Sequence, residues 1–329
     1  MSARLRERPH MKALALLLVA TAAWGATFVV VKAAVAHTPV MSFLALRFLL
    51  ASTLLAVLRP RCLVRLGRKG WAQGILLGLS LASGYVLQTF GLRYTSAAIS
   101  GFLTGLQVVF TPLLVWLFLR KRPAGRVWAA TLMATAGLAV ISLRGFSFGL
   151  GEVLTVASAA VFALQIVGLG HWSRPGDAYG LATVQLLTVA VCCTGANLPS
   201  GLRVPDSLGV WAAIAGTAVV ATAVAFVLQS WAQAQLPTAR AAIVLTMEPV
   251  FAALFAWVGG EHLGLTVIAG GALVVTAMAV VDMAGNWGTR PSLTGWTGRR
   301  APLEPHPDFA HPDFALPDLA HAGLNAPAP

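Results

Sequence analysis

Apolar runs of about 20 residues, each long enough to cross a hydrocarbon core roughly 30 Å thick, follow one another along almost the whole sequence. Little else in a sequence narrows the folds open to it so far, because lipid offers no partner to a bare N–H or C=O and only helices or a closed barrel can span it. A barrel needs segments of about 10 residues with alternating polarity, and the runs show none. With 57% hydrophobic and 10% charged residues and a mean hydropathy of +0.78, the chain is far more apolar than a soluble domain, in which roughly 25% of residues are charged. The first run, Ala13 to Ala36, exceeds a signal-peptide core and is read as an uncleaved span. Nine more follow at Val40–Leu58, Trp71–Leu92, Ala97–Leu119, Gly125–Leu143, Gly149–Gly170, Tyr179–Leu198, Leu208–Gln233, Thr238–Gly259 and His262–Met283. The expected fold class is an all-α integral membrane protein of ten transmembrane helices.

Charge orients these spans. With both termini inside, 18 of the 23 Lys and Arg fall in cytoplasmic segments, from Arg4, Arg6, Arg8 and Lys12 through Arg59–Lys69 and Arg120–Arg126 to Arg299 and Arg300. Only Lys32, Arg93, Arg144 and Arg203 lie at or near the outer side, with Arg47 inside a span. This bias places both ends in the cytoplasm, and the expected location is the cell membrane. The net charge of +12 therefore meets anionic headgroups of the bilayer, and a nucleic-acid partner is not expected.

The chain also repeats itself. Shifted by 141 positions, Tyr85 to Trp116 overlays Phe226 to Trp257 without a gap, matching Gln88 with Gln229, Phe110 with Phe251 and Trp116 with Trp257. At a shift of 138, Trp24 falls on Phe162 and Arg47 on Gln185. Five spans per copy is an odd number, so the second copy crosses in the opposite sense, and the chain reads as two inverted five-helix repeats with a site at their interface. The expected domains are a basic cytoplasmic leader (1–12), a first repeat (13–143), a second repeat (149–283) and a tail (284–329). Its Pro-spaced near-repeat HPDFA, HPDFA, LPDLA forbids a helix, and the tail is expected to be a disordered cytoplasmic segment.

Polar residues inside apolar runs mark the candidate site. Ser100, Thr104, Gln107 and Thr111 share one face of the fourth span. Their ninth-span counterparts are Ala241, Leu245, Glu248 and Ala252, a face that keeps only the acid. Glu248 lies about 16 Å from either end of its span, too deep to reach the headgroups, and is expected to be protonated, paired or exposed to a wet cavity. Lys32 and Arg47 lie in the outer halves of their spans; for Lys32, snorkelling to the headgroups competes with a site role. The candidate cavity or substrate-binding residues are Trp24, Lys32, Arg47, Tyr85, Gln88, Thr104, Gln107, Gln229 and Glu248. An Arg47 in the cavity favours an anionic or zwitterionic solute. Cys62, Cys192 and Cys193 offer no disulfide framework, and no HExxH, CxxC or phosphate loop suggests a metal or cofactor.

WGATFVVVK (Trp24–Lys32), the Arg47-Phe48 pair and MEPVFAALFAWVGGEHL (Met247–Leu263) resemble the EamA-like family of ten-helix drug/metabolite transporters, over residues 12 to 283. In the first half Arg120-Lys121-Arg122-Pro123 stands where the second has Gly260-Glu261. The resemblance implies a central cavity lined by both repeats and a secondary transporter, commonly an exporter, moving small metabolites or drugs by alternating access. A passive channel is the first alternative. A lipid-modifying enzyme is the second, and no nucleophile, metal cluster or acid pair stands at catalytic spacing to support it.

Overall fold

The structure, a computed structural model, describes residues 2–120, 122–123, 125–142, 149–260, 264–266, 268–270, 272–273 and 276–277. The expected tail (284–329) and most of the tenth span lie outside them. The helices are α1 (Ser2–His37), α2 (Val40–Leu58), α3 (Arg61–Arg65), α4 (Gly67–Tyr94), α5 (Ala97–Thr104), α6 (Gln107–Leu119), α7 (Gly125–Ser142), α8 (Leu150–Trp172), α9 (Ala178–Ala196), α10 (Leu208–Gly216), α11 (Ala225–Gln233), α12 (Thr238–Leu245) and α13 (Met247–Val258), with a π-helical stretch, Thr217–Val224, joining α10 to α11. No strand occurs among the described residues. Eight spans among them are long and apolar enough to cross a membrane, and the protein is an all-helical, multi-pass membrane protein built on two repeats.

Chain chemistry sets the helix ends. Pro39 and Pro237 immediately precede α2 and α12, where a missing N–H and a fixed φ cost the helix nothing. The Ser96 side chain accepts from the Ile99 N–H at the start of α5, and Glu152 accepts from the Gly149 N–H at 3.0 Å to open α8. Both bonds satisfy amides that a helix leaves open at its N-terminus.

Two expected continuous spans are interrupted. The fourth breaks at Gly105-Leu106 and the ninth at Thr246, and Gly105 and Thr246 are equivalent under the shift of 141. At both breaks bonds tighten to three residues, as in Val108 N–H to Gly105 O and Thr246 N–H to Ile243 O. In the ninth span Pro249 also deprives the Leu245 carbonyl of its usual donor. The eighth span departs in another way, through its π-helical stretch. There the Thr222 hydroxyl reaches back five residues to Thr217 O at 2.9 Å, the register of a π-turn.

Packing repeats as the sequence does. With α1, α2, α4 and α5–α6 set equivalent to α8, α9, α10–α11 and α12–α13, the α4–α8 contact has its counterpart in α1 against α11, and α6 on α8 corresponds to α13 on α1. The α2–α9 contact maps onto itself. Gly25 permits one of these approaches: a Cβ there would lie 2.6 Å from Phe251 Cβ and 2.8 Å from Ala252 N. Large apolar side chains such as Val19, Leu76, Leu132 and Val220 are exposed on the outer surface, whereas Ser100, Thr104, Gln107 and Thr111 are buried. Polar groups inside and hydrocarbon outside is the arrangement lipid requires.

Candidate functional site

One cavity, with about 450 Å³ of empty space including its open part, is lined by Trp24, Thr27, Leu81, Tyr85, Gln88, Thr104, Gln107, Phe162, Gln165, Ile166, Phe226, Gln229, Leu245 and Glu248. The shift of 138 pairs Trp24 with Phe162 and Thr27 with Gln165. The shift of 141 pairs Tyr85 with Phe226, Gln88 with Gln229, Thr104 with Leu245 and Gln107 with Glu248. These six pairs account for 12 of the 14 lining residues, so the cavity sits on the axis that relates the halves. Its depth follows from the same pairs. Glu248 stands ten positions from each of Thr238 and Val258, about 15 Å of rise either way.

Equivalent residues meet across this axis. The side chains of Gln107 and Glu248 are in contact, each just beyond the break in its own span. Four aromatic rings close around them. Trp24 and Phe226 lie 5.3 Å apart between ring centroids, Tyr85 and Phe162 5.4 Å, and Tyr85 and Phe226 6.2 Å. The Trp24 Nε1–H donates to Ala221 O at 2.7 Å, a carbonyl of the π-helical stretch. The lining therefore holds one carboxyl, four amides, two hydroxyl-bearing threonines and a tyrosine among apolar groups, with no Lys, Arg or His.

Of the nine candidates, Trp24, Tyr85, Gln88, Thr104, Gln107, Gln229 and Glu248 are brought together in this lining, and Lys32 and Arg47 are not. The Lys32 ammonium donates to Thr95 O at 2.6 Å, capping the carbonyl end of α4, where a positive charge also complements the helix dipole. Arg47 is fully buried behind Tyr85. Its Nε donates to the Thr222 hydroxyl at 2.7 Å, and its guanidinium carbon lies 5.3 Å from the Tyr85 ring centroid and 5.6 Å from that of Phe48. The cavity charge expected of Arg47 from sequence is therefore absent from this lining.

Thr27, Leu81, Phe162, Gln165, Ile166, Phe226 and Leu245 complete the cavity without having been candidates. Phe162 and Phe226 were legible as the equivalents of Trp24 and Tyr85, and Gln165 as an amide in mid-span. Leu81 and Ile166 carry no sequence signal that separates them from other apolar wall.

The comparisons agree with this architecture. The model of the EamA-like transporter family matches residues 11–143 and again 149–282. An uncharacterized transporter of Archaeoglobus fulgidus is 32% identical over 265 residues, 79% of this chain and 82% of that protein. A probable terminal-alkyne amino-acid exporter of Streptantibioticus cattleyicolor is 35% identical over 140 residues, 40% of this chain and 44% of that one. A solved crystal structure, 18% identical, superposes with a TM-score of 0.67 over 83% of this chain and 96% of its own, a likeness of fold. Matched by the family's model in both halves, the chain belongs to the EamA-like transporter family.

Proposed function

We propose that the protein is a secondary transporter that carries a small solute out of the cytoplasm by alternating access, with both termini cytoplasmic in the cell membrane. The observation that carries this reading is the position of the cavity, at mid-depth on the internal axis and lined in equivalent pairs. Rocking one repeat against the other about such a site exchanges which side it faces while its contacts change little. The Streptantibioticus relative, named as an exporter, supports the outward direction.

Efflux from cells with and without the protein, read across a metabolite panel, identifies the solute. Purified protein in liposomes then shows saturable counterflow of it, in which unlabelled solute on one side drives transient accumulation of labelled solute on the other. Flux that only dissipates gradients, without saturation or counterflow, indicates a channel and contradicts the reading.

A further inference from the structure

Two chains of side-chain hydrogen bonds run from the cavity into the wall, and each ends on a backbone carbonyl. In the second half Gln229 Nε2 donates to Gln165 Oε1 at 3.5 Å, Gln165 Nε2 to Gln185 Oε1 at 2.8 Å, and Gln185 Nε2 to Leu181 O at 3.1 Å. A carbonyl only accepts. Leu181 O therefore fixes the amide of Gln185, Gln185 fixes Gln165, and Gln165 holds Gln229 with its nitrogen toward the wall. Reversing any one amide would set two acceptors against each other. Gln229 Oε1 is left buried and with no partner, in a residue that lines the cavity.

The first half does the same with other residues. The Thr104 hydroxyl donates to Ser100 O at 2.8 Å and so receives Gln88 Nε2 at 3.0 Å, which leaves Gln88 Oε1 as the outward atom of that amide. Gln88 and Gln229 are equivalent, and both line the cavity together with Glu248. Three of the lining's donor-bearing side chains are engaged elsewhere: Trp24 Nε1 bonds Ala221 O, the Thr27 hydroxyl bonds Trp24 O, and the Gln107 side chain is already against Glu248.

We infer that the cavity selects an organic ammonium, a primary amine on an aromatic or branched apolar body, and discriminates against carboxylates and zwitterions. Glu248, Gln88 and Gln229 share one lining, and their oxygens suit the three N–H donors of an ammonium. The faces of Trp24, Tyr85, Phe162 and Phe226 suit both its charge and its apolar part. A carboxylate finds no Lys, Arg or His in the lining and faces acceptors. An alkali cation would use the oxygens but leave the aromatic walls without a role. As a statement about the transported solute, the inference rests on the transport reading above. As a statement about binding, it does not.

The test uses three probes with one ring: 2-phenylethylamine, phenylalanine and 3-phenylpropionate. Calorimetric titration of the purified full chain is expected to show the amine bound about ten-fold or more tightly than the other two. Glu248→Gln is expected to abolish that preference and Gln229→Leu to weaken the amine alone, each at an unchanged size-exclusion profile. If Glu248→Gln fails to fold, the Gln229→Leu comparison decides. Equal or tighter binding of phenylalanine or 3-phenylpropionate overturns the inference, as does an unchanged preference in the variants, or no binding of the amine at about 10 mM. Liposomes separate the two readings. Amine preference in binding with no counterflow of any panel solute overturns transport alone, and counterflow of the two carboxylates without the amine overturns the amine alone.

Discussion

Arg47 shows how far a residue's role depends on which way it points. A guanidinium inside a span reads as a site residue from sequence, since charge in hydrocarbon is costly. Here its Nε bonds the Thr222 hydroxyl and its guanidinium lies against Tyr85 and Phe48, while Nη2 is buried with no partner; these contacts offset part of its cost, and it packs in the wall behind the cavity. Arg47→Gln, which copies the equivalent Gln185, is expected to lower stability by about 1–2 kcal/mol through the lost hydrogen bond and cation–π contacts, leaving the preference between cationic and anionic solutes unchanged. Thermal unfolding in detergent and competition assays on the same preparation check this. A reversed charge preference at unchanged stability would return Arg47 to the cavity. Glu248, by contrast, was legible as a candidate because no rotamer could carry it out of the apolar run, and it stands in the cavity lining.

Among the elements, the π-helical stretch has no counterpart in the first repeat, where α4 runs unbroken from Gly67 to Tyr94. Nothing in TAVVATAV marks it, because its register depends on groups distant in sequence. Trp24 holds the Ala221 carbonyl and Arg47 the Thr222 hydroxyl. The breaks of the fourth and ninth spans were half visible, in Gly105 and Pro249, yet helix continuity is decided by neighbours as much as by propensity. Thr222→Val removes both the bond to Thr217 O and the acceptor for Arg47, and is expected to cost about 1–3 kcal/mol because a charged donor is left unpaired in the core. Thr111→Val, which removes only a bond to Gln107 O within its own helix, is expected to cost clearly less. Equal unfolding temperatures for the two variants would show that the stretch does not depend on this anchor.

At the scale of the whole molecule, the duplication was the most informative feature of the sequence. It carried the pairing of residues around the cavity before any contact was known, and it located the axis. The depth of each side chain, and the turning of Lys32 and Arg47 away from the cavity, come from packing and have no trace in the pattern. Orientation in the membrane is open to a direct check through Cys62, which stands in α3 among Arg59, Arg61, Arg65, Arg68 and Lys69. A membrane-impermeant maleimide is expected to label it in inverted vesicles and not in intact cells, with Cys62→Ser as the control. Burial pushes its thiol pKa up, so the thiolate is scarce at neutral pH and labelling is expected to quicken as pH rises. Labelling in intact cells would reverse the proposed topology.

Alternating access is tested most directly at Thr27, half-buried in the lining and close in size to cysteine. With Cys62, Cys192 and Cys193 replaced, Thr27→Cys is expected to react with an impermeant thiol reagent added from either side of the membrane, while the same vesicles hold an ion gradient as long as protein-free ones. Reaction from one side only, or from neither, would contradict a cavity that opens to both faces in turn, and a gradient that collapses would make it a pore.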